Sequence, residues 1–279
     1  ISRAEKENWV LARPYIVIDS VSRITLEKKD NTMQSAGGLI ITPDDMAKWL
    51  KIQVGKGKLN GKQIFPESMM IYAQQELVSI EDPKRLFQPT HYGFGWLYGT
   101  YETHKVIHHF GGFAGFATHV SFMPDQQIGV AIMVNEALSG DQLMNLIATF
   151  IYDYFLENKE WNDYDESINA FAEKLNEGRK MMSVGIAKRN DRPWLLTMPL
   201  SEYSGSYQSD EYGILTIQES ASGLKVAAGN LQCVSTPFKN EDSIRVELIP
   251  GSGQVIKFHK ENSKISGLTY DGIYFTKIN

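Results

Sequence analysis

The run His108-His109-Phe110-Gly111-Gly112-Phe113-Ala114-Gly115-Phe116 constrains this chain more than any other stretch. Four small residues, Gly111, Gly112, Ala114 and Gly115, stand among aromatics, between an extended segment at 105–109 and another at 116–123. Glycine carries no Cβ, so the backbone there lets a ligand or a second chain come close. His109, at the mouth of the strand, adds a group that carries or relays protons near neutral pH. A further β-rich segment, 128–135, follows Pro124-Asp125-Gln126-Gln127, and the two extended runs around that turn predict a hairpin.

The flanking pattern is mixed. Residues 11–26 alternate loosely, enough for one or two short strands. Thr42-Pro43-Asp44-Asp45 is a helix start, with a Thr cap, Pro at the first helical position and acids in the first turn. Met46, Trp49, Leu50 and Val54 then share one helical face. Glycines between 55 and 61 end that helix, and Pro66-Glu67-Ser68 opens a short second one. The alternation of aromatic and small residues over Tyr92–Tyr98 predicts a strand. From Ser139 to Phe155, Leu143, Leu146, Ile147, Phe150, Ile151, Tyr154 and Phe155 form a wide apolar stripe, which suits a helix covering a sheet.

Composition shifts at Glu157. Residues 158–192 are highly charged and predict one or two connecting helices, and 193–199 a linker. From Leu200 the hydrophobic period becomes 2, with turns every eight to ten residues, as in an all-β barrel or sandwich. Eight short candidate strands in about 80 residues predict a small up-and-down barrel. The expected divisions are therefore 1–157, 158–199 and 200–279.

At 279 residues the chain has enough length for one large core or two modest ones. A net charge of −5 argues against a nucleic-acid partner, because neutralising phosphates needs a basic face. The single cysteine, Cys233, excludes an intrachain disulfide and a cysteine-based zinc site. His104, His108, His109 and His119 invite a metal reading, but neighbours on a strand face opposite ways and no carboxylate or cysteine completes a set, so no metal and no cofactor is expected. No apolar run approaches the roughly 20 residues that span a bilayer. The sequence begins at Ile1, and residues 1–8 contain neither the apolar nor the basic region of a signal peptide. They read as the middle of something longer.

Three stations in order resemble the C-terminal half of the serine β-lactamase and penicillin-binding-protein family, in its class C, esterase and D-aminopeptidase branch. Ser35-Ala36-Gly37-Gly38-Leu39 with Thr42-x-x-Asp45 is similar to that family's A-G-G-L…T-x-x-D segment. Tyr92-Gly93-Phe94-Gly95-Trp96 is similar to its Y-G-x-G-W strand. His109-Phe110-Gly111-Gly112, continuing through Gly115-Phe116, Pro124-Asp125, Gly129 and Asn135, resembles its Lys-Thr-Gly strand and the hairpin after it. The segment from Leu200, opening with Tyr203-Ser204-Gly205-Ser206-Tyr207, resembles the lipocalin-like domain often appended to these hydrolases. The resemblance implies an α+β fold: a partial β-lactamase-like antiparallel sheet with covering helices, followed by a small all-β, lipocalin-like barrel. It also implies an exported bacterial protein.

The family's mechanism needs a Ser-x-x-Lys nucleophile motif and a Tyr-x-Asn or Ser-x-Asn motif before the A-G-G-L segment. Neither stands before Ser35. The chain's Ser-x-x-Lys, Ser222 to Lys225, falls in the predicted barrel and reads as a chance match. The resemblance gives His109 and Gly112 catalytic positions, His109 where relatives carry Lys or His and Gly112 as an oxyanion-hole donor through its N–H. Phe110, Gly111, Phe113 and Asn135 take substrate-binding positions. Phe110 departs from the family's hydroxyl or small residue, which favours an apolar ester, amide or peptide over a β-lactam carboxylate. Each role has a plainer alternative: His109 as a surface strand-end histidine, Asn135 as a cap of the following loop. The expectation is a C-terminal fragment of a serine hydrolase, inactive alone, whose partners are a small-molecule or peptide substrate, the missing N-terminal segment and further copies of itself. The alternative is a non-catalytic module that binds a ligand or partner through the barrel and remnant cleft.

Overall fold

The computed structural model describes residues 1–18, 20–24, 26–32, 34–157 and 161–278. It divides into two compact units, Ile1–Arg179 and Lys180–Asn279, each mixed or all-β around its own core. Among the described residues no helix is long and apolar enough to cross a membrane.

The first unit is built on a six-stranded antiparallel sheet. Its strands run in the order Ile128–Val134, Phe116–Met123, His104–Phe113, Leu97–Tyr101, His91–Tyr92 and Val78–Ser79. Side chains alternate across a strand, so each face collects every second residue. One face presents Ile107, Phe122 and Tyr98 to Leu50 of the helix Pro43–Val54. The other presents Val106, Met123 and Val130 to Ala148 and Tyr152 of the helix Gly140–Leu156. Burying a side chain such as Phe122 from water stabilises the fold by about 2 kcal/mol.

Local chemistry sets the ends of these elements. The Thr42 hydroxyl oxygen accepts the Asp45 N–H at 3.2 Å, with Pro43 at the first helical position. That helix buries Leu50, Ile52 and Gln53 and leaves Trp49 partly exposed, a slightly different stripe from the one the sequence suggests. The strand expected over Tyr92–Tyr98 is interrupted: Gly93 N–H bonds to the Trp96 carbonyl at 2.9 Å, and a turn separates His91–Tyr92 from Leu97–Tyr101. Gly95 sits in that turn at φ +82°, a conformation that alternation alone does not reveal. The hairpin joining Phe113 to Phe116 likewise turns on Gly115 at φ +81°. Helix Gly140–Leu156 is capped by Glu136, whose carboxylate accepts the N–H groups of Ser139 at 2.7 Å and Leu138 at 3.1 Å. The Ser139 side chain makes no cap bond.

The charged connector contains a single helix, Trp161–Asn190, of 30 residues; 158–160, where the connector was expected to start, lie outside the described residues. The division between the units falls inside this helix, between Arg179 and Lys180.

The second unit is a nearly closed, nine-stranded barrel-like sheet. Every neighbouring pair is antiparallel, and each is sequential except that the first strand, Gly205–Ser209, joins the last, Ile273–Lys277. Nine strands stand where eight were expected, because the run 231–237 breaks at Ser235 into Leu231–Val234 and Thr236–Pro237. Ser235 donates its N–H to the Leu224 carbonyl at 2.8 Å and accepts the Leu224 N–H on its hydroxyl oxygen at 3.2 Å. That exchange takes Ser235 out of either ladder and leaves the seam there. The interior is occupied by the barrel's own side chains, among them Tyr203, Tyr207, Leu224, Ile256, Phe258 and Phe275.

One end of the barrel is tied by Asp242, which is 7% exposed. Its carboxylate accepts the Thr197 N–H at 3.0 Å, the Thr197 hydroxyl at 2.9 Å, the Lys260 ammonium at 2.6 Å and the Tyr203 hydroxyl. Burial pushes this carboxyl up, but the Lys260, Tyr203 and Thr197 hydrogen bonds outweigh it and bring it down to about 2.

Candidate functional site

Strand His104–Phe113 is longer than its outer neighbour. Its pairing with Phe116–Met123 runs to Phe113 opposite Phe116, whereas its pairing with Leu97–Tyr101 stops at His108 opposite Leu97. Among the described residues, 109–113 therefore have a strand on one edge only.

Which backbone groups face the open edge follows from alternation. The Tyr98 carbonyl accepts the Thr90 N–H at 2.8 Å, and the Thr100 N–H goes to the Phe87 carbonyl at 2.8 Å, so both residues turn away from His104–Phe113. Leu97 and Gly99 consequently turn toward it and engage His108 and Val106. Continuing by twos, Phe110 and Gly112 aim N–H and C=O out of the same edge as His108. Among the described residues neither makes a further backbone hydrogen bond there.

Among the described residues nothing requires glycine at 112. A Cβ built on it meets nothing nearer than the Phe116 carbonyl oxygen, at 3.7 Å, and its φ is not in the left-handed region. Gly111 differs, since a Cβ there would press on the Thr118 hydroxyl.

Side chains divide by parity. His109 is exposed, and its ring lies 6.3 Å from that of Tyr92. Phe113, four residues on, carries the Lys28 ammonium 5.0 Å from its ring centroid, and Lys28 also donates to the Gly37 carbonyl. Phe110 points to the opposite face and is half-buried, against the rings of His108 at 5.3 Å and His119 at 4.9 Å. Asn135 stands apart from the edge. Its side-chain amide donates to the Arg13 carbonyl at 3.0 Å, and its own carbonyl accepts the Tyr15 N–H at 3.0 Å, fastening the N-terminal hairpin Tyr15–Ile18/Val21–Ile24 to the sheet.

The four histidines of the metal reading are kept apart. His108 and His119 are fully buried on one face, His109 is exposed on the other, and His104 contacts Gln126 at 3.2 Å. Among the described residues no three His, Cys, Asp or Glu side chains are placed to hold a metal ion. His119 Nε2 and the Ser121 hydroxyl are 2.7 Å apart, and Ser121 is 2.7 Å from the Tyr152 hydroxyl. Burial pulls His108 down to about 3, helped by the charges of His119, His109 and Arg85, and pulls His119 down to about 4. This cluster has no exposed atoms to offer a substrate; it is core.

Two of the clefts among the described residues lie elsewhere in the first unit. The larger, about 610 Å³, is lined by residues 83–88 with Thr100, Tyr101, Glu102 and Asn145. The smaller is lined by Leu138, Gln142, Phe171 and neighbours. Neither includes His109 or Gly112. Ser222 is exposed at the turn before the barrel strand Gly223–Ala228, so Ser222 and Lys225 share no helical face.

Sequence reasoning reached the strand but not its edge. That Phe110 and Gly112, and not Gly111, face outward depends on the register against Leu97, which no local pattern encodes. Tyr92 and Lys28 were missed as neighbours of the strand for the same reason: both contacts span long sequence separations.

Comparison with known proteins follows these contours. Residues 5–150, just over half of the chain, match the family model described as Beta-lactamase. Among curated proteins, "Unguisins hydrolase ungD'" of Aspergillus campestris is 22% identical over 197 residues, covering 68% of this chain and 35% of that protein. The chain thus spans about a third of the length of that relative. Among solved structures, the octameric penicillin-binding protein homologue from Pyrococcus abyssi aligns with a TM-score of 0.48 and 16% identity, over 99% of this chain and 55% of that one. The crystal structure of SurE aligns with a TM-score of 0.40 and 14% identity, over 95% of this chain and 55% of that one.

Proposed function

The chain belongs to the beta-lactamase family, and on that footing we propose that it is the substrate-pairing part of a serine hydrolase. The intact protein transfers or hydrolyses the acyl group of a peptide, amide or ester through a serine acyl-enzyme. The attacking serine and the group that takes its proton come from polypeptide outside this sequence. The observation that carries the reading is the open edge at Phe110 and Gly112.

An extended substrate adds to that edge as a strand, accepting and donating through the outward backbone groups of Phe110 and Gly112. The Gly112 N–H then meets the carbonyl oxygen of the bond under attack. A backbone donor fixed in advance stabilises the negative charge that develops on that oxygen, and the nucleophile's own N–H supplies the second donor. A glycine that neither packing nor φ requires supports a position kept clear for such an approach. His109, exposed beside the edge, hydrogen-bonds or transfers a proton to the leaving group. Phe113 and Gly111 complete the strand. Asn135, bonded to Arg13, holds the N-terminal hairpin and takes no part in substrate binding on this reading. The barrel interior, filled by its own side chains, gives no support to the alternative of a ligand held inside it.

The test uses a longer form of the protein that includes the preceding segment with its serine. Gly112→Pro removes one outward N–H and no ladder bond, because that edge is unpaired. Turnover of a p-nitrophenyl ester is expected to fall about 10²- to 10³-fold, with folding kept. Full turnover by Gly112→Pro overturns the proposal. So does turnover by the 279-residue chain alone that is abolished by changing one of its own serines.

A further inference from the structure

The open edge has an aromatic bank. The turn between His91–Tyr92 and Leu97–Tyr101 holds Phe94 outward: Gly95 N–H bonds to the Gly93 carbonyl at 2.8 Å, and Trp96 turns inward to lie edge-on against Phe122 at 5.2 Å. Phe94 is 48% exposed and packs its ring 5.0 Å from Tyr72, which is 59% exposed on the helix Glu67–Ala73. Tyr92, just before the turn, is 38% exposed and lies beside His109. The ladder stops at Leu97 opposite His108, and Tyr92 reaches the strand just past that point, its ring 6.3 Å from that of His109. Tyr72 and Phe94 form an exposed aromatic pair with exposed Tyr92 two residues before Phe94, and contiguous exposed apolar surface of this kind marks a recognition site. They contribute nothing to either buried cluster of the sheet.

We propose that Tyr72, Phe94 and Tyr92 form the specificity wall of the site, selecting a peptide-like substrate with an aromatic or large aliphatic side chain next to the bond that is cut. The inference rests on the reading of Phe110 and Gly112 as a substrate-pairing edge and adds the chemistry of what pairs there. A peptide bound as a strand sends alternate side chains to opposite sides, so one of them meets the bank. The three rings themselves are uncharged, and an aromatic or branched aliphatic group gains both burial and ring contact against them.

The experiment is a titration of ¹⁵N-labelled protein with N-acetyl-Gly-Phe-Gly-amide, carrying L- or D-phenylalanine, and with N-acetyl-Gly-Gly-Gly-amide. One phenylalanine peptide is expected to bind about tenfold more tightly than the glycine peptide. It should shift the amides of Phe110 and Gly112 together with the signals of Phe94 and Tyr72. In Phe94→Ser the preference for phenylalanine should vanish while the Phe110 and Gly112 shifts persist at higher peptide concentration. Equal binding of both peptides, or a preference that survives in Phe94→Ser and in Tyr72→Ser, overturns the inference and leaves the edge reading standing. Binding that moves Phe94 but never Phe110 or Gly112 overturns the edge reading. Sedimentation of the same proteins closes the remaining route: if Phe94→Ser converts a dimer to a monomer, the bank is an interface between copies and the inference falls.

Discussion

Single residues carry much of this fold, and the ones that do so were not those with an evident chemical signature. His108 and His119 invite a metal reading in the sequence, yet the structure buries both, and burial pulls them down to about 3 and about 4. In the unfolded chain each titrates near 6.5. The unfolded state therefore binds more protons than the native one between those values, so the two histidines leave stability intact above about pH 6.5 and subtract from it as pH falls toward 4. Urea unfolding of the sheet unit, followed by its NMR signals, is expected to show a lower midpoint at pH 5 than at pH 7, and His108→Phe is expected to reduce that difference. An unchanged midpoint in the wild type contradicts the assignment. Asp242 has the opposite sign. Its native value of about 2 lies below the ordinary carboxylate, so its contribution is complete above about pH 4 and lost as pH falls through 2. Asp242→Asn keeps the shape but weakens the bonds from Thr197, Tyr203 and Lys260, and is expected to destabilise the barrel by about 1–3 kcal/mol at pH 7. A shift smaller than a few tenths would mean the cluster adds no net stability.

At the level of elements, local rules were readable and tertiary ones were not. Thr42-Pro43-Asp44-Asp45 announced its helix because every signal is within four residues, and the structure has that cap. The hairpin Phe116–Met123/Ile128–Val134 was legible from alternation around Pro124-Asp125. The break at Gly93–Trp96 and the seam at Ser235 were not, because aromatic-small alternation continues through the first and a backbone exchange with Leu224 makes the second. Glu136 shows the limit most clearly. Burial raises its carboxyl, but hydrogen bonds from Ser139 and Val17 and the charge of Arg179 bring it net below the ordinary range, so it serves as a charged cap reaching three residues forward. The apolar stripe from Ser139 to Phe155 carries no sign of a cap three residues before it. Glu136→Ala is expected to cost about 1–2 kcal/mol in the sheet unit and Ser139→Ala much less, measured by thermal unfolding. The reverse order would make Ser139 the cap.

For the whole molecule, each unit has its own core, and the two cores share no residues. Denaturation is expected to proceed in two transitions, with Asp242→Asn moving one and Glu136→Ala the other; a single transition moved equally by both contradicts that division. The functional reading belongs to the first unit. It asks one thing of that unit: that residues past His108 present backbone groups to an edge no strand covers. Amide hydrogen exchange on the 279-residue chain measures this residue by residue. His109 and Gly111, which pair with Val120 and Thr118, are expected to be protected at least 100-fold relative to Phe110 and Gly112. Gly112 protected as well as Gly111 would mean the edge is already filled, and the account of substrate pairing would be wrong.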